Sequence, residues 1–362
     1  MNTHHPARPL AGPGELVETL PFHLGFRPEN SIVVHNTLGP TYIDGPTMTL
    51  PLPDDPDTWQ DIAEAFAHTF IDVMGHRGRP LKNITVFLYR DPHPGHTDDH
   101  TASLLRPAAE QLATILKNDG AVILETIGIV NDRWWAYECT RTGCCEGEPL
   151  PDADTPNSLT AGMKQLGFTP RPRPSEIASE FRPTHTNATR YSDALTDIAA
   201  DLHEQTLTRI GQTLTREGTG RITGGALKDF RNGNTQLMDE IAARIILGLQ
   251  DESARDQAMT YGEDEDLPHT RQLWAYLARR CVPPHTDKAP PLLTLLGWVA
   301  WRQDDTVLAR LAFREATAID PTYEMAELLH HGVSNGADPH RLLKAYRAVG
   351  HKPLTDDEPD TP

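Results

Sequence analysis

The segment "NITVFLYR", residues 83–90, decides how the first half of the chain folds. It is a continuous run of apolar and β-branched residues. It lacks the alternation of apolar and polar positions that marks a strand with one face in water. Such a run is typical of a strand that is covered on both faces, as in sheets with helices packed on them. We therefore predict a central, buried strand at residues 83–90.

The segments around this strand alternate between helix and strand patterns. A helix is predicted at 57–78, where Ile62, Phe66 and Val73 share one face, and a second helix at 103–120. The remaining elements are a short helix at 14–24 and strands at 30–36, 41–52, 121–130 and 133–139. The order β-β-α-β-α-β-β predicts an α/β fold, with a mixed sheet and packed helices.

The second half of the chain shows helical patterns alone, with the clearest helices predicted at 191–214, 234–250 and 268–282. This change predicts an all-α C-terminal domain. The predicted boundaries are an α/β domain at 1–168, a Pro-rich linker at 169–184, the helical domain at 185–352 and a disordered acidic tail at 353–362.

One pair of helices in the second half, residues 290–323, has a repeat-like pattern. Its small, apolar and proline residues match a tetratricopeptide repeat of about 34 residues. These residues are Leu293, Leu296, Gly297, Ala300, Ala309, Phe313, Ala316 and Pro321. The helices that follow do not repeat the pattern, and such repeats need neighbours to form a concave binding face. We therefore predict one tetratricopeptide-like hairpin with a structural role.

The composition limits the classes of partner. Asp and Glu outnumber Lys and Arg, 51 to 33, which gives a formal net charge of -18. This charge opposes binding to nucleic acid and to anionic membrane surfaces. A nucleic-acid alternative would need a basic patch, for which the sequence offers Arg171, Arg173, Arg182 and Arg190. The few cysteines and the absence of a secretory h-region predict a reducing, cytoplasmic location.

The stretch "RWWAYECTRTGCCEGEPLP", residues 133–151, holds three of the four cysteines. Strand alternation places Trp135, Tyr137 and Cys139 on one face, and Trp134, Ala136 and Glu138 on the other. Cys139 is therefore interpreted as a packed side chain. Cys144 and Cys145 lie in a Gly-flanked loop. A structural role is favoured for the cluster, because a structural zinc site requires four ligands. Metal binding and thiol chemistry stay open as alternatives.

A histidine run, "DPHPGHTDDH" at residues 91–100, follows the predicted central strand. Ligands in open α/β sheets usually bind at the carboxyl ends of strands. If His93 and His96 met Cys144 and Cys145, they would form a mixed site suited to zinc. The favoured interpretation is a polar loop, with Asp99 or Thr101 capping the next helix. Apart from this zinc alternative, no cofactor is predicted.

Two other segments attract attention without forming a known site. The acidic run at 251–266 lacks the alternation of a calcium loop and is interpreted as a solvated segment between helices. The glycine-rich run at 218–227 lacks the Gly-Lys-Ser/Thr of a phosphate loop and is interpreted as a turn. The chain also has no Gly-x-Ser-x-Gly or His-Glu-x-x-His motif. A non-enzymatic protein is therefore favoured.

Two short motifs carry a resemblance to a known family. The first is Leu24-Gly25-Phe26-Arg27-Pro28 with Ser31 and an apolar strand; the second is Trp134-Trp135 with Cys139, Cys144 and Cys145. Together they resemble the bacterial family called domain of unknown function 4192. The chain departs from that pattern at Glu146, where a proline is expected. The segment from Gly297 to Arg302 is also similar to the C-terminal region of many relatives. The resemblance implies a soluble bacterial protein and no particular activity.

These observations predict a non-enzymatic interaction or regulatory protein, with the helical half contacting a protein partner. The alternative is a metal- or small-ligand-binding α/β domain, such as a hydrolase, that uses the 91–100 loop with Cys144 and Cys145. A nucleic-acid-associated protein is the third alternative, disfavoured by the net charge.

Overall fold

A computed structural model describes residues 12–39, 45–139, 147–150 and 159–348. The chain divides into two compact units between residues 174 and 175. We call them the α/β unit and the helical unit. The predicted acidic tail at 353–362 and the residues 41–44 of a predicted strand lie outside the described residues.

The α/β unit contains a 6-stranded mixed sheet in the order β2-β1-β3-β4-β5-β6. Its strands are β1 (Ser31–Thr37), β2 (Thr47–Pro51), β3 (Asn83–Tyr89), β4 (Val122–Val130), β5 (Arg133–Ala136) and β6 (Glu148–Pro149). β3 and β4 are parallel, and the other neighbouring pairs are antiparallel. The prediction of a central strand at 83–90 is confirmed, because β3 lies between β1 and β4.

Helices cover both faces of this sheet: α1 (Pro13–Leu24), α2 (Trp59–His76), α3 (Asp98–Asn118) and α4 (Leu159–Gln165). Alternate residues of β3 enter two separate cores. Val86 and Leu88 pack with the residues of α2 and α3, whereas Phe87 packs with Leu16 and Leu20 of α1. Because both faces are buried, every second position needs an apolar side chain on each side, which explains the continuous apolar run.

The helical unit contains the remaining helices and one continuous core. The helices are α5 (Pro174–Ala178), α6 (Ala188–Gln205), α7 (Arg209–Arg231), α8 (Asp239–Gly248), α9 (Glu252–Met259), α10 (Leu267–Ala278), α11 (Pro290–Arg302), α12 (Thr306–Ile319), α13 (Glu324–Ser334) and α14 (Pro339–Ala348). Trp274, Trp298 and Phe313 are fully buried in that core. The predicted fold class, an α/β half followed by an all-α half, is confirmed.

Within the predicted hairpin, α11 and α12 pack closely at a glycine. A Cβ atom at Gly297 would lie 2.6 Å from the ring of Phe313, so only glycine permits this approach. The small residues Ala300, Ala309 and Ala316 are likewise buried. The tetratricopeptide-like character of this pair stays a prediction.

The interpretation of residues 218–227 as a turn is wrong, because these residues lie inside α7. The predicted helix at 191–214 ends earlier, at Gln205, and α7 starts after a short connection. The buried residues of α7 recur at helical spacing: Thr219, Thr223, Ala226, Leu227 and Phe230. Burial of this face outweighs the cost of glycine in a helix, which is about 1 kcal/mol per residue relative to alanine.

The interpretation of residues 251–266 as a solvated segment is also wrong. Residues 252–259 form α9, which buries Ala254, Ala258 and Met259. The carboxylates pair with arginines from distant helices, in the pairs Asp251–Arg216 at 2.8 Å, Asp266–Arg231 at 2.8 Å and Glu263–Arg347 at 3.2 Å. The sequence reading failed because these partners are far away along the chain.

Candidate functional site

The histidine loop lies at the carboxyl end of β3, as predicted. Thr97 caps α3 by accepting a hydrogen bond from the His100 amide at 3.2 Å, in place of the predicted Asp99 or Thr101. The Nε2 atom of His93 is 2.9 Å from Nη2 of Arg90. A guanidinium can only donate, so His93 Nε2 is the acceptor. His93 Nε2 also lies 3.2 Å from the Asp54 carbonyl oxygen, so this nitrogen already has two protein neighbours where a metal would bind.

The other two histidines of this loop are exposed and stack edge to face. The ring centroids of His96 and His100 are 4.6 Å apart, and those of His93 and His96 are 6.1 Å apart. Within the residues that the structure describes, no group of three or more His, Cys, Asp or Glu side chains could hold a metal ion. Cys144 and Cys145 lie outside the described residues. The predicted zinc site thus stays a prediction.

Arg90 organises the start of this loop. Its side chain is only 4% exposed and donates to Asp54 Oδ1 at 2.9 Å and to the Pro53 carbonyl at 3.2 Å. Its guanidinium also lies 5.5 Å from the centre of the Trp59 ring. The hydrogen bond and charge of Arg90 lower the pKa of Asp54. These contacts join the end of β3 to the start of α2, which is a structural role.

The described part of the tryptophan-cysteine stretch is also structural. Trp135 and Tyr137 enter the core of α2 and α3, whereas Trp134 packs on the α1 side, so the predicted alternation of these three residues is confirmed. The Tyr137 hydroxyl donates to the Ala102 carbonyl at 2.7 Å, and burial raises the pKa of Tyr137. Cys139 is partly buried just beyond β5.

The Leu-Gly-Phe-Arg-Pro motif forms a turn between α1 and β1. Gly25 has a φ of 80°, the left-handed conformation that ends α1 and favours glycine. Phe26 forms a β-bridge with Arg171, whose amide donates to the Gly25 carbonyl at 2.8 Å. Pro28 and Ser31 are buried where β1 begins, while the Arg27 side chain is exposed. The motif therefore anchors the segment near residue 171 to the α/β unit.

The arginines proposed for nucleic-acid binding are largely engaged by carboxylates. The ion pairs are Arg173–Asp91 at 3.1 Å, Arg182–Glu315 at 2.7 Å and Arg190–Asp239 at 2.6 Å. Each pair lies within one unit. Because these guanidinium groups are already neutralised, they are poorly placed to bind phosphates.

A buried polar row beneath α1 was not predicted. The Thr47 hydroxyl contacts both His23 Nε2 and His35 Nδ1, each at 2.7 Å, and the two rings are 4.9 Å apart. His35 pairs with Thr47 on one neighbouring strand and with Thr85 on the other, and Thr85 pairs with Glu125. His35 and Thr85 are completely buried. Four neighbouring strands thus place polar residues side by side.

The electrostatics of this row favour neutral groups. A hydroxyl can donate to one imidazole nitrogen and accept from the other, so Thr47 satisfies both histidines when their rings are neutral. Burial lowers the pKa of His23. Burial, and then the charge of Glu138, raise the pKa of Glu125. Strand alternation could have placed His35 on the face of Val33, but no sequence signal indicated its contact with His23.

A second unpredicted feature is an apolar groove of about 400 Å³ between α6 and α7 in the helical unit. Leu202, Leu214 and Ile222 line it, together with polar residues and Arg244. Leu214 of the lining is 59% exposed. Leu207 and Ile210, which are near the lining residues Gln205 and Gly211 along the chain, are 69% and 75% exposed. Their spacing of three and four residues was visible in the sequence, but the predicted single helix at 191–214 hid their exposure.

Comparisons with known proteins give one match. The model of the family described as "Domain of unknown function (DUF4192)" matches residues 13–340. No curated protein matches the chain, and no solved structure matches it. In the described part of the chain, every helix is too short or too polar to cross a membrane.

Proposed function

The chain belongs to the DUF4192 family, whose description names no activity, and we propose from its geometry that it is a non-enzymatic interaction module. In this proposal the helical unit binds a partner protein along the groove between α6 and α7. The α/β unit contributes a stable scaffold, since its described signature residues serve packing and turns.

The exposure of Leu207, Ile210 and Leu214 carries this proposal. Three large apolar side chains within eight positions keep their surface in water, although each would gain about 1–2 kcal/mol on burial. A contiguous apolar surface beside a groove is typical of a binding site, whereas isolated exposed apolar residues need no explanation. Leu214 lines the groove, and Leu207 and Ile210 are near its lining residues along the chain, which supports a common occupant.

The dimensions favour an amphipathic helix of the partner as that occupant. The lining residues of α7 run from Gly211 to Ile222, a length of about 16 Å at the rise of an α-helix. That length accommodates about three helical turns, with apolar residues at a spacing of three and four. Arg244 already pairs with Asp201 at 3.2 Å, so the groove offers mainly apolar contacts to a ligand.

Site-specific photocrosslinking tests this proposal. A photoreactive residue at Ile210 should crosslink, in cells of the source organism, to an amphipathic helix of another protein that mass spectrometry can map. The matched control is the same residue at Leu328, which is also exposed, at 67%, and belongs to the same unit but not to the groove. Equal crosslinking at both positions, or crosslinking only to a second copy of this chain, would contradict the proposal.

The exposed rings of His96 and His100 favour one alternative, a metal- or small-ligand-binding α/β domain. A hydrolase of this kind would require Cys144 and Cys145 to approach the histidine loop. Elemental analysis of protein purified without a His tag distinguishes the two. Zinc at one atom per chain that is lost on replacing Cys144 and Cys145 with serine would support the alternative. Zinc-free, folded protein would exclude the metal-binding form of this alternative.

A further inference from the structure

A basic patch on the helical unit has no counterpart in the sequence-based predictions. We define it as Arg310 and Arg314 of α12 with His330 and His331 of α13. The two arginines are four residues apart, so their side chains lie on the same side of α12. α13 packs against α12. The electrostatic effects of Arg310, Arg314 and His331 on His330 place these four groups near one another.

In the part of the chain that the structure describes, no carboxylate forms an ion pair with this patch. The one carboxylate of α12, Glu315, is bound by Arg182 through contacts of 2.7–3.3 Å. Among the described residues, neither Arg310 nor Arg314 forms an ion pair or a side-chain hydrogen bond. In particular, neither arginine forms an ion pair with Glu327, which precedes His330 by three positions on α13. Both arginine side chains are exposed, so their charge is open to an anion from outside.

The surroundings of Arg310 and His330 disfavour their charged forms. Desolvation lowers the pKa of Arg310, although its side chain still reaches solvent. Burial lowers the pKa of His330, and the charges of Arg314, Arg310 and His331 lower it further. A cation that is partly desolvated without a partner is destabilising, and an anion that docks beside it offsets this cost. The patch therefore has an electrostatic preference for an anionic ligand.

We propose that the basic patch binds an acidic segment of a partner protein through its carboxylates. Two guanidinium groups on one side of a helix, carried by residues whose Cβ atoms are about 6 Å apart, suit the neighbouring carboxylates of a short peptide. A long nucleic acid would extend beyond the patch over a chain with a net charge of -18, whereas a short acidic segment can contact the patch alone. This surface is formed by helices other than α6 and α7, so the inference does not depend on the groove proposal.

Fluorescence anisotropy with a labelled oligoglutamate peptide tests the inference on the full-length protein at low salt. The double variant R310Q/R314Q should weaken peptide binding about tenfold, the loss of roughly 1.4 kcal/mol. The control R209Q/R221Q removes two exposed arginines of α7, giving the same change in net charge, and should leave binding within about twofold of the wild type. Thermal unfolding should show that both variants are folded.

A second readout is the NMR titration of His330. Peptide binding should raise its pKa toward the ordinary range, since carboxylates offset the charges that depress it. The inference is overturned if the peptide does not bind, if both double variants weaken it equally, or if an oligonucleotide of equal charge binds more tightly. An oligoglutamine peptide that binds equally well would also overturn it, because charge recognition would then be absent.

Discussion

The two units differ in what they bury and what they expose. The α/β unit hides polar groups under its helices: His35, Thr85 and the Tyr137 hydroxyl are all buried. The helical unit does the reverse at the groove and leaves Leu207 and Ile210 in water. The comparison teaches that the interior of the α/β unit depends on specific polar contacts, whereas the start of α7 in the helical unit keeps large apolar side chains in water.

The helical unit also buries charge, but it satisfies that charge locally. Arg302 is 4% exposed and donates to the carbonyl groups of Tyr261 and Gly262 at 2.9 and 2.6 Å. Arg255 pairs with Asp256 at 2.8 Å. Arg310 and Arg314 differ from these two buried arginines, because both are exposed and form no ion pair within the described residues.

The largest expected effect is in the interior of the α/β unit. A Cβ atom at Gly128 would lie 2.0 Å from the Tyr137 hydroxyl. Gly128→Ala should therefore displace Tyr137, break its bond to Ala102 and destabilise the unit by about 3 kcal/mol. Gly75→Ala, in α2 of the same unit, is the control because a Cβ there meets nothing within 4 Å. Urea unfolding measures both, and equal stability of the two variants would contradict the close packing at Tyr137.

A smaller effect is expected from pH beneath α1. The pKa of His23 is lowered in the folded state, so its contribution to stability is complete above the unfolded value of about 6.5 and is lost as pH falls below it. Because the ring is partly solvated, the loss should stay below about 1 kcal/mol. Hydrogen exchange of the α1 amides, corrected for intrinsic rates, should show this loosening in acid.

His23→Gln should remove that pH dependence, leaving His330 of the helical unit as a separate site whose pKa is also lowered. Glu125 affects the stability of the unit in a different pH range. Its raised pKa makes folding less favourable as pH rises through and above its ordinary value of about 4.5, so Glu125→Gln should stabilise the unit near neutrality. An unchanged acid response of α1 in the His23 variant would show that another group is responsible.

The smallest effect on stability is expected at the groove. Leu207→Ser with Ile210→Ser should change the free energy of unfolding by less than about 0.5 kcal/mol, because both side chains are already in water. Calorimetry measures this change. A loss comparable to that of Gly128→Ala would mean that these side chains belong to the core, and the contrast between the two units would disappear.

Much of the fold was accessible from local sequence patterns. The apolar run of β3, the amphipathic face of α2 and the adjacent strands predicted at 121–130 and 133–139 depend on residues that are near one another in the chain. All of these elements are present. The errors at residues 218–227 and 251–266 share a cause. The glycines of 218–227 suggested a turn, and the carboxylates of 251–266 suggested a solvated segment. Helices form in both segments because Phe230 and Met259 are buried and because distant arginines pair with the carboxylates.

The candidate sites were less accessible. His93, His96, Cys144 and Cys145 were chosen because their residue types suit a metal, yet the structure shows His93 bound to Arg90 and describes neither Cys144 nor Cys145. The polar row joins His23 to Thr47 across 24 residues and His35 to Thr47 across 12. No periodic pattern within one helix or strand predicts a contact between side chains of different elements.

The sequence by itself therefore determined the class of each half, the burial of the central strand and the family, because periodicity and short motifs are local properties. Only the tertiary structure decided which polar groups meet, which arginines are neutralised and which apolar residues remain in water. The physical reason is that hydrogen bonds, ion pairs and burial depend on distances in space between segments that are remote in the chain, and packing of the complete core determines those distances.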